Sequence, residues 1–125
     1  MGASGEIQVV DIDQGPELEI VEGEGSARAV IWPGMGAQLR SIHVIRLGAG
    51  ARTVELSHDD EAVYHVNEGR GDAVDLATNE SQPLRPGSMI HIDPGTHYRV
   101  LAGPEGMSLV GGPSPPDPAL YEGVS

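Results

Sequence analysis

A chain of 125 residues that is 38% hydrophobic, with no Phe and one Trp, must build its core from Val, Ile, Leu, Ala and Met. Its 19 acidic residues against 7 basic ones, all arginine, give a net charge of -12, which repels phosphate backbones and anionic lipid and excludes nucleic acid and membrane surfaces from the expected partners. The lack of Cys excludes disulfides and thiolate metal sites and fits a cytoplasmic protein, and no apolar run reaches the ~18 residues of a spanning helix.

Helical periodicity is nearly absent along the chain. In order, the strand candidates are EIQVVDI (6–12), LEIV (18–21), ARAVIW (27–32), LRSIHVIRL (39–47), RTVELSH (52–58), AVYHVN (62–67), GDAVDL (71–76), SMIHI (88–92), HYRVLA (97–102) and MSLVG (107–111). Turn signals such as EGEG, LGAG, NEGRG, RPG, DPGT and AGPEG separate them. Many short strands at near-regular spacing predict an all-β sandwich or barrel. The segment 23–36 is glycine-rich but lacks a phosphate-loop pattern, so no nucleotide cradle is expected. Trp32, before Pro33, reads as a core plug or interface anchor. The Pro-rich tail 111–125 cannot be a helix or a central strand; it either lies extended over the barrel or a partner chain, using Leu120 and Tyr121, or hangs loose.

Strand parity sorts the side chains. In 52–58, Val54, Leu56 and His58 share the apolar, inward face. In 62–67 the inward set is Ala62, Tyr64 and Val66, with Val63, His65 and Asn67 outside. In 97–102, Tyr98 and Val100 point inward and His97 and Arg99 outward. In 88–92, Met89 and His91 oppose Ile90 and Ile92; both faces are partly apolar, so parity leaves the direction of His91 open. His43 sits mid-strand at a core edge or interface. Asp59, Asp60 and Glu61 read as a solvated turn, although one of them could orient His58 through its second ring nitrogen.

The glycine spacing from Gly50 onward resembles the cupin family. Gly50, then Leu56-Ser57-His58, Ala62 and Gly69 follow the spacing of the first cupin motif, and Gly87, Asp93-Pro94-Gly95, Tyr98 and Ala102 that of the second. The resemblance covers about 39–109. It implies a double-stranded β-helix, or jelly-roll, barrel of the small RmlC-like type, with the N-terminal strands 6–32 and the tail 111–125 completing one domain. Gly50, Gly69, Gly87 and Gly95 stand where positive φ is often required. The resemblance also implies metal ligands at positions 56, 58, 62 and 98, but the residues there are Leu56, His58, Ala62 and Tyr98, and only His58 is retained.

The expected interior is therefore an apolar pocket lined by Val54, Leu56, Ala62, Val66 and Met89, with His58, Tyr64 and Tyr98 as polar handles. It suits a small, partly apolar organic ligand. As an enzyme it would work without a metal, with His58 as general base and Tyr98 or Tyr64 as acid or enolate stabiliser, in an isomerase, cyclase or dehydratase. Sugar epimerases that share the cupin barrel use a His and a Tyr in this way. The alternative is a dioxygenase-like cupin in which His58 and His91 hold a divalent transition metal. Because cupins commonly dimerise through crossing terminal strands, the resemblance also implies a homodimer.

Overall fold

The computed structural model describes residues 6–124. Eight strands form one sheet that curls into a nearly closed barrel: β1 (Val21–Glu22), β2 (Gly25–Ile31), β3 (Ile42–Leu47), β4 (Arg52–Thr53), β5 (Glu61–Asp75), β6 (Glu80–Leu84), β7 (Met89–Ile92) and β8 (Tyr98–Ser114). The strand order β1-β4-β8-β3-β2 continues from β8 into β5, which carries β6 and β7 on its other edge, and each ladder is antiparallel. Single-turn 3-10 helices at Ile12–Gln14, Pro33–Met35 and Pro118–Tyr121 complete the secondary structure among the described residues. Among the described residues no helix is long and apolar enough to cross a membrane.

The frame is two long strands that bend together. β5 unites the segments expected at 62–67 and 71–76, and β8 unites those at 97–102 and 107–111. Their ladder runs from Glu61↔Ser114 to Asp75↔Tyr98 and slips twice, between Val66 and Glu68 and between Gly69 and Gly71. Such bulges sharpen a bend and let one strand serve both walls of a barrel. Gly69 has φ +79°, and a Cβ there would collide with the Gly106 carbonyl. Gly50, Gly87 and Gly95 also take positive φ, as the turn reading expected.

Several elements depart from expectation: the first residues of the tail, 111–114, continue β8 between β3 and β5, and of the expected strand 18–21 only Val21 is in β1. Segment 6–12 is not a strand: it runs irregularly into the 3-10 turn, with Ile7 93% and Val9 83% exposed. Its alternation reads as strand, but among the described residues it has no ladder partner. β6 was not foreseen, because ESQPL is polar and contains Pro83. It forms as the second arm of a hairpin with β5, and it lies at an edge, where a proline costs no ladder bond. Segment 52–58 is strand only at Arg52–Thr53, with an isolated bridge at Leu56↔Tyr98. The irregularity turns Thr53 inward, where its Oγ1 accepts the Val100 N–H at 3.1 Å, and leaves Val54 half-buried at the core margin.

The core lies inside the barrel. Ala27, Ala29, Ile45, Leu47, Val66, Val100 and Leu109 are fully buried there, joined by Leu18 and Ile20 from the N-terminal side. The tail folds back over one end, where Leu120, Tyr121 and Val124 pack against the core. Of the tail as expected from sequence, Ser125 lies outside the described residues.

Candidate functional site

Three of the expected side chains meet. Leu56 and Tyr98 exchange backbone hydrogen bonds, at 2.9 Å and 2.8 Å, so residue 58, two positions on and on the same face, arrives beside Tyr98. The Gly95 N–H donates to the His58 carbonyl at 2.8 Å and pins that turn. His58 Nε2 lies 2.7 Å from the Tyr98 hydroxyl, which lies 2.9 Å from the Tyr64 hydroxyl. All three residues are buried.

The fourth member comes from the tail. Asp117 Oδ2 lies 2.6 Å from His58 Nδ1, while Oδ1 accepts the Ala119 N–H at 3.0 Å. A carboxylate can only accept, so Nδ1 carries the proton. In neutral His58, Nε2 then accepts from Tyr98 O–H, and the Tyr98 oxygen accepts from Tyr64 O–H. The result is a directed chain, Asp117–His58–Tyr98–Tyr64. Burial raises the pKa of both phenols, Tyr64 to about 12 and Tyr98 further, so both stay protonated near neutrality.

A second imidazole–phenol pair lies nearby. His43, fully buried on β3, sits with Nε2 2.7 Å from the Tyr121 hydroxyl, and the Tyr121 ring packs on Trp32 with centroids 5.2 Å apart. Burial first, and then the charge of His58, lower the His43 pKa to about 4. Sequence reasoning found no partner for His43, and Trp32 packs partly buried against the core as the plug reading expected.

An opening leads to Tyr98. β6 and β7 pair only with β5 among the described residues, and between them lies a pocket of about 200 Å³. Ala73, Ile90, Ile92, Thr96 and Tyr98 line it, with Asp75, Glu80 and Asp93 among its polar groups.

The double-stranded barrel, with its bent β5–β8 ladder and turn glycines, is the architecture of known structures. No protein-family model matches the chain, and no curated protein matches it. The polyketide cyclase RemF from Streptomyces resistomycificus superposes with a TM-score of 0.72 at 16% identity, over 90% of this chain and 82% of that one. An RmlC-like cupin from Shewanella frigidimarina gives 0.66 at 20% identity, over 87% and 92%. A protein with a double-stranded β-helix domain from Klebsiella pneumoniae gives 0.69 at 17% identity, over 88% and 91%. The chain has the cupin fold.

Within this cupin barrel, Leu56, Ala62 and Val66 are buried as parity required. Met89 and His91 are not part of the interior: Met89 is 65% exposed, and His91 points outward, 3.1 Å from Glu61 and 3.8 Å from Asp93. The reason is register. Tyr64↔Ile90 and Ala62↔Ile92 are paired, so Ile90 and Ile92 share the inner face and their neighbours the outer one. His58 and His91 therefore stand on opposite sides of the sheet and cannot share an ion, which removes the expected metal pair. The cupin ligand position does not fit a metal either: Leu56 and Ala62 offer no donor atom, and His58 Nε2, the nitrogen that Asp117 leaves free, is bonded to the Tyr98 hydroxyl. Among the described residues no group of His, Asp and Glu gathers to hold one. His65 and His97 lie on the outer face, bonded to Asn67 and Glu55. Asp59, Asp60 and Glu61 are exposed and leave the orienting of His58 to Asp117.

Proposed function

We propose that this protein binds a small, partly apolar carbonyl compound and moves a proton at its oxygen, in an isomerase or cyclase type of reaction that needs no metal. The directed chain Asp117–His58–Tyr98–Tyr64, whose Tyr98 also lines the pocket between β6 and β7, is the observation that carries this reading. Tyr98 is the group that meets the ligand. With His58 protonated, solvent water takes the hydrogen next to the ligand carbonyl, Tyr98 passes its proton to the carbonyl oxygen as charge develops there, and His58 Nε2–H replaces it on Tyr98, leaving the enol and neutral His58. In reverse, neutral His58 takes the proton of a ligand hydroxyl through Tyr98. Asp117 holds the imidazole in one tautomer throughout, and Tyr64 donates to the Tyr98 oxygen when charge develops there. Ile90, Ile92 and Ala73 supply the apolar contact. The similarity to a polyketide cyclase adds support for a ligand of that general size and polarity, at the level of fold.

The test is solvent deuterium exchange into small cyclic ketones and enols, followed by NMR. Wild-type protein should accelerate exchange next to the carbonyl, and Tyr98→Phe should lose at least 100-fold of that rate while ligand binding falls much less. Equal loss of binding and rate would reduce the barrel to a binding module. Unchanged exchange in Tyr98→Phe would sink the relay.

A homodimer belongs to the same reading. Exposed Ile7, Val9 and Leu39 have no cover in the described residues of one chain, and a second copy would supply it. Sedimentation of a monomer at micromolar concentration would overturn this.

A further inference from the structure

Beyond Ser114 the chain leaves the sheet. Among the described residues, the backbone hydrogen bonds of segment 115–124 stay within the segment: Leu120 N–H to the Asp117 carbonyl and Val124 N–H to the Tyr121 carbonyl. Side chains alone hold this strap to the barrel. Asp117 is bonded to His58, Tyr121 is bonded to His43 and stacks on Trp32, and Leu120 and Val124 add apolar contact.

Both polar anchors are thus received by a buried imidazole. They stand four positions apart, at the N-cap and the last residue of one 3-10 turn, Pro118–Tyr121, whose Ala119 N–H is capped by the same Asp117 carboxylate. Pro118 fixes the entry of that turn. Seating Tyr121 therefore fixes where the Asp117 carboxylate points.

His43 is otherwise hard to account for. Among the described residues its Nδ1 has no partner, and the ring packs closely over Gly112, where a Cβ would lie 3.1 Å from Nδ1 and 2.8 Å from Ser41 Oγ. A buried ring nitrogen left unpaired is costly, and an aliphatic side chain would fill the space without that cost. What the imidazole adds is the bond to Tyr121.

We infer that His43 and Tyr121 form a latch that docks the C-terminal strap and so positions Asp117 against His58. The inference rests on the reading of His58–Tyr98 as the reacting pair, and it makes His43 and Tyr121 positioning residues, not catalytic ones. With the strap docked, His58 is held as the Nδ1–H tautomer, which leaves Nε2 for Tyr98. With the strap released, that orientation is lost and this end of the barrel opens.

The experiment uses the full chain without any ligand. Nitrogen-15 NMR of labelled histidine reads the His58 tautomer, and hydrogen exchange by mass spectrometry reads residues 115–124. Asp117→Ala sets the reference for an unoriented ring. Tyr121→Phe, which removes one hydroxyl, should speed exchange across the strap by at least tenfold and turn the His58 signals into the tautomer mixture of Asp117→Ala. Trp32→Leu, which leaves no buried polar atom unpaired, should do the same to a lesser degree and serves if Tyr121→Phe does not fold. Asp117→Glu should restore part of the single-tautomer signature. Wild-type tautomer signals and strap protection in both Tyr121→Phe and Trp32→Leu would overturn the latch. These readings need no turnover, so failure of the ketone exchange assay would sink the proposed reaction and leave the latch standing.

Discussion

Asp117 and His58 are 59 positions apart in the chain, and their side chains meet at 2.6 Å inside the barrel mouth. The His58 side chain is 2% exposed and that of Asp117 17% exposed. This contact joins the 3-10 turn of the tail to the centre of the site. Asp117→Ala should lower unfolding free energy by about 2 kcal/mol, the usual worth of a charge-assisted bond whose partner is left buried. Urea unfolding checks this, with the midpoint falling at an unchanged slope.

His43 makes stability depend on acid. Its pKa is lowered to about 4 by burial, then by the charge of His58; Tyr121, Ser41 and Gly112 are its other neighbours, from the tail, the segment before β3 and β8. The unfolded chain binds this proton more tightly than the folded one. The contribution is therefore complete above about pH 6.5 and is lost as pH falls toward 4, amounting to roughly 3 kcal/mol. His43→Gln should remove that part of the slope. Chemical unfolding of both proteins at pH 7 and pH 4 measures the difference, and parallel curves would contradict it.

The phenols make the opposite prediction at high pH. Burial raises Tyr64 to about 12 and Tyr98 higher still, and it also raises Tyr121. A group with a raised acid pKa stabilises the fold below its unfolded value, and that stability is lost as pH rises through the folded one. In a Tyr121→Phe background, tyrosinate absorbance from Tyr64 and Tyr98 should thus show no titration near the free value of ~10, and should rise only in a cooperative step that coincides with loss of near-ultraviolet circular dichroism. A smooth titration in the folded state would place the hydroxyls in solvent.

The vacant cupin ligand positions can be refilled. Leu56, Ala62, Tyr98 and His58 are all buried, and Asp117 already holds Nδ1 of His58 so that Nε2 faces Tyr98. Leu56→His with Ala62→Glu and Tyr98→His should create a site for a divalent transition metal with micromolar or tighter affinity. Calorimetry with zinc or nickel tests it, with wild type as the control. No binding by a folded triple variant would show that the register around residue 56 differs from that of metal-holding cupins.

Gly112→Ala should disturb the strap from a distance. The added methyl would meet Ser41 Oγ and His43 Nδ1, so the His43 ring must shift. The expected cost is 1–3 kcal/mol, as for other overpacked cores. Faster exchange at Tyr121 than at β3 would show that the ring moved and the sheet did not.

The barrel was legible in the chain because its marks are local. Alternation in AVYHVN put Tyr64 inside and His65 outside, and glycines fell where the backbone turns with positive φ. Leu56, His58 and Tyr98 were placed the same way, since side-chain direction along a strand depends only on its own pleat. His91 was not settled, because MIHI carries apolar residues on both faces, Met89 beside His91 and the two isoleucines opposite, and only the pairing with β5 assigns them. Asp117 was invisible among 19 acids, and His43 had no readable partner. The path by which the strap returns over the barrel brings Asp117 to His58 and Tyr121 to His43, and no periodicity encodes that path. By itself the sequence determined an all-β fold of cupin type and the inward direction of His58, Tyr64 and Tyr98. Only the tertiary structure decided which groups they bond, because those bonds join residues far apart in the chain whose meeting depends on how the whole sheet closes.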